Sequence, residues 1–348
     1  MMRPIFTTLA PVLALAAAPT AFADVTFSAS TLFITTGDAD DDIQIDVGPM
    51  PGEVTVSGVY NGGTFAGVRA IVAMTGDGDD EIDIDGRAPF LPRLFVDMGD
   101  DDDRFDVDFV FSEFFIDVRA AGIFLRTGEG EDDVTISLKS HSGELNASID
   151  LELGDGSNDV DVDVAPEGDS GVIRVGLDIQ SGEDDDEVEF DVGGDSGLSY
   201  ARLRGALGDG GDDVDVDVET RLGGAPTLEL ALDLGSGDDE FDSDASGNDL
   251  ALLGTLRGQD GEDSIEVLSQ AGFIGGAVLD AGADDDDVTF HAVGRHDSAT
   301  SILAGTGDDD VEVLTQTSQT QTPTTSDGGP GEDVFSGIGL AVNFEEID

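Results

Sequence analysis

Cysteine and tryptophan are absent from this chain of 348 residues, lysine occurs once, at Lys139, and tyrosine only at Tyr60 and Tyr200. Without cysteine no disulfide can hold the fold together, so an exported chain of this kind needs another source of stability. Zinc would want histidine or cysteine ligands, and His141, His291 and His296 form no ligand-spaced cluster. Positive charge is equally scarce: 14 basic residues stand against 78 acids, for a formal net charge of −64. Phosphate contacts need clustered lysine and arginine, so nucleic acid is excluded as a partner, and anionic lipid and acidic polysaccharide are disfavoured. The scarcity of aromatics removes the girdles of a membrane barrel and the platforms of a sugar-binding groove. No stretch after residue 30 carries a capped helical period, and no later run is long and apolar enough to span a membrane. The partners this composition invites are cations.

The first 23 residues stand apart. Arg3 gives a short positive start, Leu9 to Ala18 an apolar run, and Ala21-Phe22-Ala23 a small-residue cleavage site before Asp24. Residues 1–23 therefore read as a secretory signal peptide, with secretion to the periplasm, cell surface or medium expected, and residues 24–348 as one domain.

What the chain has in abundance is one phrase, written twelve times: a glycine, a small acidic loop, an aspartate, then an apolar residue that opens an alternating run. The leading glycines are Gly37, Gly76, Gly99, Gly128, Gly154, Gly182, Gly208, Gly235, a shifted copy near Gly258, then Gly282, Gly305 and Gly329. After a first step of 39 residues the spacing stays between 23 and 30. Shortly after each glycine comes a near-constant acid: Asp41, Asp80, Asp103, Asp132, Asp185, Asp212, Asp239, Asp263, Asp286, Asp309 and Asp333, with Asn158 as the exception. A second glycine lies inside the turn, replaced by Asp101, Asp184 and Asp284, residues that tolerate positive φ, and by Ala39, which predicts a different first turn.

The flanks are strands. Runs such as Val160-Asp161-Val162-Asp163-Val164 and Val214-Asp215-Val216-Asp217-Val218 alternate β-branched residues with acids, apolar side in and acid side out. The expected fold is all-β: a parallel β-helix or β-roll-like solenoid of about twelve coils, with an antiparallel array of hairpins as the alternative. Residues 24–36 and 334–348 are candidate end caps, and the Thr/Gln/Ser-rich stretch 315–327 a polar loop. Outward acids such as Asp161, Asp163, Asp215 and Asp217 read as a solvated face, and Arg202 and Arg204 as charge compensation.

Stacking such coils brings equivalent carboxylates within about 4.8 Å of each other. Either the chain stays expanded by self-repulsion or cations bridge the carboxylates. Calcium accepts six to eight oxygens in flexible geometry, from carboxylates and turn carbonyls alike, whereas magnesium is stricter and gives up water reluctantly.

These residues resemble the glycine- and aspartate-rich calcium repeats of the RTX, or haemolysin-type, family, whose nonapeptide reads G-G-x-G-x-D-x-U-x with U apolar. Gly76, Gly78, Asp80 and Ile82 fall on its second glycine, third glycine, aspartate and apolar place, and Gly328 to Phe335 carries both leading glycines. The resemblance implies calcium held between stacked turns, with the eleven aspartates named above as ligands. It departs in spacing, since the family's nonapeptides run in tandem and this chain has one phrase per roughly 24 residues. It departs also in the signal peptide, which exported family members usually lack. The functional expectation is a secreted calcium-binding repeat protein with a structural, surface or matrix role. Two other readings are a carbohydrate-active β-helix enzyme and a disordered acidic chain that binds cations or mineral diffusely. Against catalysis, no nucleophile motif such as G-x-S-x-G occurs and the basic residues are scattered.

Overall fold

Alternation on this scale can bury its apolar side only by pairing one sheet against another. In a computed structural model of the protein, the described residues form thirty strands and no helix. They are residues 24–112, 118–141, 143–166, 171–194, 199–220, 227–246, 249–269, 272–273, 275–293, 300–316, 324–337, 340–344 and 346–347. The signal-peptide candidate 1–23, His296, residues 317–323 of the polar loop and residues 338–339, 345 and 348 of the C-terminal cap lie outside them.

Successive strands alternate between two sheets of 15 strands each. Val118–Arg126, Gly143–Glu152 and Gly171–Gln180 lie side by side in the first sheet, and Asp133–Ser140, Asp159–Pro166 and Glu187–Gly194 in the second. Neighbours are parallel and in register, so that Val134, Val160, Val188 and Val214 form one row. The chain is therefore a parallel β-solenoid with one strand per sheet in each turn. Its regular body holds about eight turns, from Val118–Arg126 to Asp310–Gln316, where the strands of the two sheet paths are six to twelve residues long. Towards the ends they shorten to five residues at Thr31–Thr35 and Arg93–Asp97, and to three at Thr325–Asp327 and Leu340–Val342. The expected twelve full coils slightly overstate this rod. Among the described residues, antiparallel pairing is confined to the N-terminal end. There Asp24–Ser28 folds back on Thr31–Thr35, and Val54–Ser57 joins Asp42–Val47 to Gly63–Phe65.

The register carries like onto like. Ile45, Ile84, Val107, Ile136, Val162 and Phe190 make one continuous inward column of the second sheet. Phe105, Phe109, Phe111, Phe190, Phe241 and Phe290 are fully buried. Phe109 and Phe111 meet edge to face, with centroids 4.8 Å apart. Burying each such side chain contributes roughly 1.5–3 kcal/mol, which offsets the chain entropy of one or two ordered residues. Phe190→Ala should therefore cost about 3–5 kcal/mol in denaturant unfolding. Its neighbour Glu189 faces outward, and Glu189→Gln should change stability by less than about 0.5 kcal/mol. Equal effects of the two would contradict the inside–outside assignment.

The outer faces differ. On the second sheet, Asp83 and Asp106 stand side by side, and Asp161, Glu189, Asp215 and Asp242 form a row. Burial and acidic neighbours push Asp191 and Asp242 up to about 6. On the first sheet, arginines tie adjacent strands together: Arg126 to Glu152 at 2.6 Å, Arg202 to Asp178 at 2.5 Å, Arg174 to Glu144 and Arg204 to Glu229.

Candidate cation-binding edge

Each phrase forms the turn that leads from the first sheet into the second. Two close approaches explain its glycines. Gly235 has φ +124°, and a Cβ there would lie 1.6 Å from the Gly208 carbonyl oxygen of the preceding turn. Gly128 has φ +115° and would meet Gly99 O at the same distance. In the shifted copy Gln259, rather than Gly258, holds the leading place, in register with Gly235 and Gly282 and at φ 93°. Asp101, Asp184 and Asp284 take positive φ at the second glycine place, as their tolerance for it predicts.

The aspartates of the phrase form a ladder along this edge. The backbone N–H of each donates to Oδ1 of the next: Asp41 to Asp80 at 2.8 Å, Asp80 to Asp103 at 2.9 Å, Asp103 to Asp132 at 2.9 Å. The series continues from Asp132 to Asn158 at 3.2 Å, Asn158 to Asp186 at 3.0 Å and Asp186 to Asp212 at 2.9 Å. It runs on through Asp239, Asp263, Asp286 and Asp309 to Asp333. The expected member Asp185 is thereby corrected to Asp186. Asp186 is the residue four positions after Gly182, and it is buried, whereas Asp185 is exposed. Counting from the glycine would have found it in the sequence.

Asp185 belongs to a second, outer ladder one position earlier in the phrase. Asp102, Asp185, Asp238, Asp285 and Asp308 each accept a backbone N–H from the following turn, at 2.7–3.0 Å. These groups keep contact with water. The sequence reading missed this outer ladder, because its acids stand in runs of consecutive acids, as at Asp100 to Asp103 and Asp284 to Asp287, where nothing in residue type marks one from the next.

The inner ladder is different in kind. Asp80, Asp103, Asp132, Asp186, Asp212, Asp239, Asp263, Asp286 and Asp309 are each at most 3% exposed, and Oδ2 of every one is buried without a hydrogen-bond partner. Burial pushes Asp103 and Asp286 up to about 8, Asp212 and Asp239 to about 7, and Asp80, Asp263 and Asp309 to about 6. Asp132 and Asp186 are raised for the same reason. Hydroxyls of Thr75, Thr127 and Ser181 offset part of this at Asp80, Asp132 and Asp186, without making a hydrogen bond to Oδ2. The Thr75 hydroxyl donates instead to Met98 O at 2.6 Å.

Asn158 shows what surrounds those orphan oxygens. Its Oδ1 accepts from Asp132, as an aspartate would, which puts Nδ2 where the other copies carry Oδ2. That Nδ2 donates to Gly156 O at 2.7 Å and to Asp186 Oδ1 at 2.8 Å. The place is lined by acceptors. An aspartate oxygen there needs something positive between itself and them, a proton or a metal ion.

The donor set suits a hard cation: carboxylate and carbonyl oxygens, with no sulfur and no histidine in the ladder. Among the described residues no three acidic or histidine side chains converge on one point. The oxygens this edge offers a cation are therefore ladder carboxylates together with turn carbonyls. The chain matches no family model, no curated protein and no solved structure. Fold and edge together define an acidic parallel β-solenoid built on a buried aspartate ladder.

Proposed function

We propose that this protein is a secreted, calcium-binding structural rod, with a surface or matrix role, whose ladder is neutralised by calcium along the turn edge. The observation that carries this reading is the file of buried, unpartnered Oδ2 atoms in a chain of net charge −64. Self-repulsion on that scale opposes a compact rod, and a cation that binds the stacked turns better than the open chain converts binding energy into folding energy. The metal-ligating residues are Asp41, Asp80, Asp103, Asp132, Asp186, Asp212, Asp239, Asp263, Asp286, Asp309 and Asp333, by their place in the ladder. The likeness of the phrase to RTX-type repeats supports calcium over magnesium, and the signal-like N-terminus supports export into calcium-rich surroundings. A carbohydrate-active reading has less behind it, since Arg126, Arg174, Arg202 and Arg204 are each already tied to a carboxylate.

Far-UV circular dichroism during a calcium titration tests the proposal, with magnesium as control. The expected result is a gain of β signal and of thermal stability with calcium that equal magnesium does not reproduce. A spectrum and melting curve indifferent to calcium and to chelator would remove calcium from the account and leave protons to neutralise the ladder.

A further inference from the structure

Of all the ladder positions one is already neutral. Asn158 donates from Nδ2 to Gly156 O at 2.7 Å and to Asp186 Oδ1 at 2.8 Å, and its backbone N–H donates to that same Oδ1 at 3.0 Å. A longer contact of 3.5 Å reaches the Ser181 hydroxyl. On its other side it accepts the Asp132 N–H at 3.2 Å. Asn158 is 2% exposed and, unlike the aspartates above and below it, leaves no buried side-chain atom without a partner.

We propose that Asn158 makes its turn a cation-free seam, which divides the ladder into two separately neutralised segments, Asp41–Asp132 and Asp186–Asp333. The identity of the neutralising ion rests on the calcium reading above; the seam itself does not. The amide supplies from within the protein the positive end that each aspartate must take from outside. A cation beside Asn158 would face the N–H donor and would have to displace two hydrogen bonds to enter. Ladder repulsion is carried by neighbouring carboxylates, and a neutral amide interrupts it. In a solenoid, turns are coupled chiefly to their neighbours. The turns on either side of Asn158 are therefore the part of the rod that holds together when cations are withdrawn, and the place from which order spreads when they return. The simpler alternative is that asparagine is an isosteric replacement with no energetic distinction from its neighbours.

Hydrogen exchange read by mass spectrometry on the whole chain separates the two, in chelator and above neutral pH. The strand Asp159–Pro166, which leaves the seam turn, and its neighbours Asp133–Ser140 and Glu187–Gly194 should stay protected longest, with protection falling towards both ends. In Asn158→Asp this protected island should vanish. In Asp286→Asn, a second island should form around Asp287–Val293, well apart from the first; this variant keeps the test open if Asn158→Asp does not fold. An even loss of protection along the wild-type rod, or an island that persists in Asn158→Asp, would overturn the seam. Calcium bound per chain is measured beside it. An island that follows residue 158 in a protein that binds no calcium would keep the seam and remove the calcium reading. Calcium binding without such an island would do the reverse.

Discussion

In chelator, the unfolding midpoint falls as pH rises from about 4 to about 8, and saturating calcium removes most of that fall. The sign follows from the direction of the shifts. Ladder aspartates titrate near 3.8 in the open chain, whereas in the rod burial raises Asp263 to about 6, Asp239 to about 7 and Asp103 to about 8. Between those values the folded state holds protons that the unfolded state has released, so stability decreases with pH across this window. Below it both states are protonated, and the penalty is absent. One pKa unit corresponds to about 1.4 kcal/mol, so ionising Asp103 alone costs on the order of 5 kcal/mol. That is as large as the whole stability of many domains. The other eight buried aspartates are raised in the same direction, so ionising the whole ladder opposes folding unless a counter-ion is present. The rod must keep its protons, open locally or take up cations. Calcium that binds the ionised ladder replaces the proton, and the pH dependence flattens. A midpoint in chelator that stays level or climbs through this window would show that the ladder is not buried as described.

The fold was largely legible because the phrase and the alternation repeat themselves. Val160, Val188 and Val214 each open a run of period two, and the structure stacks those runs in register. The turn positions followed from glycine, and even its replacements Asp101, Asp184 and Asp284 obeyed the demand for positive φ. Less legible was which of several consecutive acids turns inward. Asp184, Asp185 and Asp186 are chemically identical, and only the register of the turn buries the last of them. Burial rather than residue type sets the chemistry here, because the same carboxylate is exposed at Asp185 and buried with an unpartnered Oδ2 at Asp186. The hairpin alternative, too, was decided by register over long separations. Nothing local distinguishes Asp42–Val47, which pairs antiparallel on one side and parallel on the other, from the strands that follow. Asn158 looked like a lapse in the pattern, and the two hydrogen bonds it donates to Asp186 appear only when the turns are stacked.

Gly235→Val should be among the most damaging single substitutions on the turn edge, at roughly 3 kcal/mol or more, and calcium should not rescue it. Two costs combine. At φ +124° a β-branched side chain is strained by itself. Its Cβ would also stand 1.6 Å from Gly208 O and 2.6 Å from Gly208 C, and both are backbone atoms that cannot swing away. Relief requires the two turns to separate. Separation breaks the bond from Gly210 N to Ser236 O at 2.8 Å and the ladder bond from Asp212 N to Asp239 Oδ1 at 2.8 Å. The damage therefore reaches the ladder, and a cation bridging these turns loses its geometry with them. Gln259 provides the contrast. It occupies the equivalent place with a side chain at φ 93°, and its Nε2 donates to Asp233 Oδ1 at 2.6 Å. Gln259→Gly relieves about 1 kcal/mol of left-handed strain, loses an exposed hydrogen bond and loosens the unfolded chain, so these terms nearly cancel. Thermal unfolding of the two variants, each with calcium and with chelator, separates the outcomes. A Gly235→Val protein that melts with the wild type would mean that turns on this edge are not packed backbone to backbone. Equal losses from Gly235→Val and Gln259→Gly would mean that the leading place depends on side-chain identity rather than on the close approach of the turns.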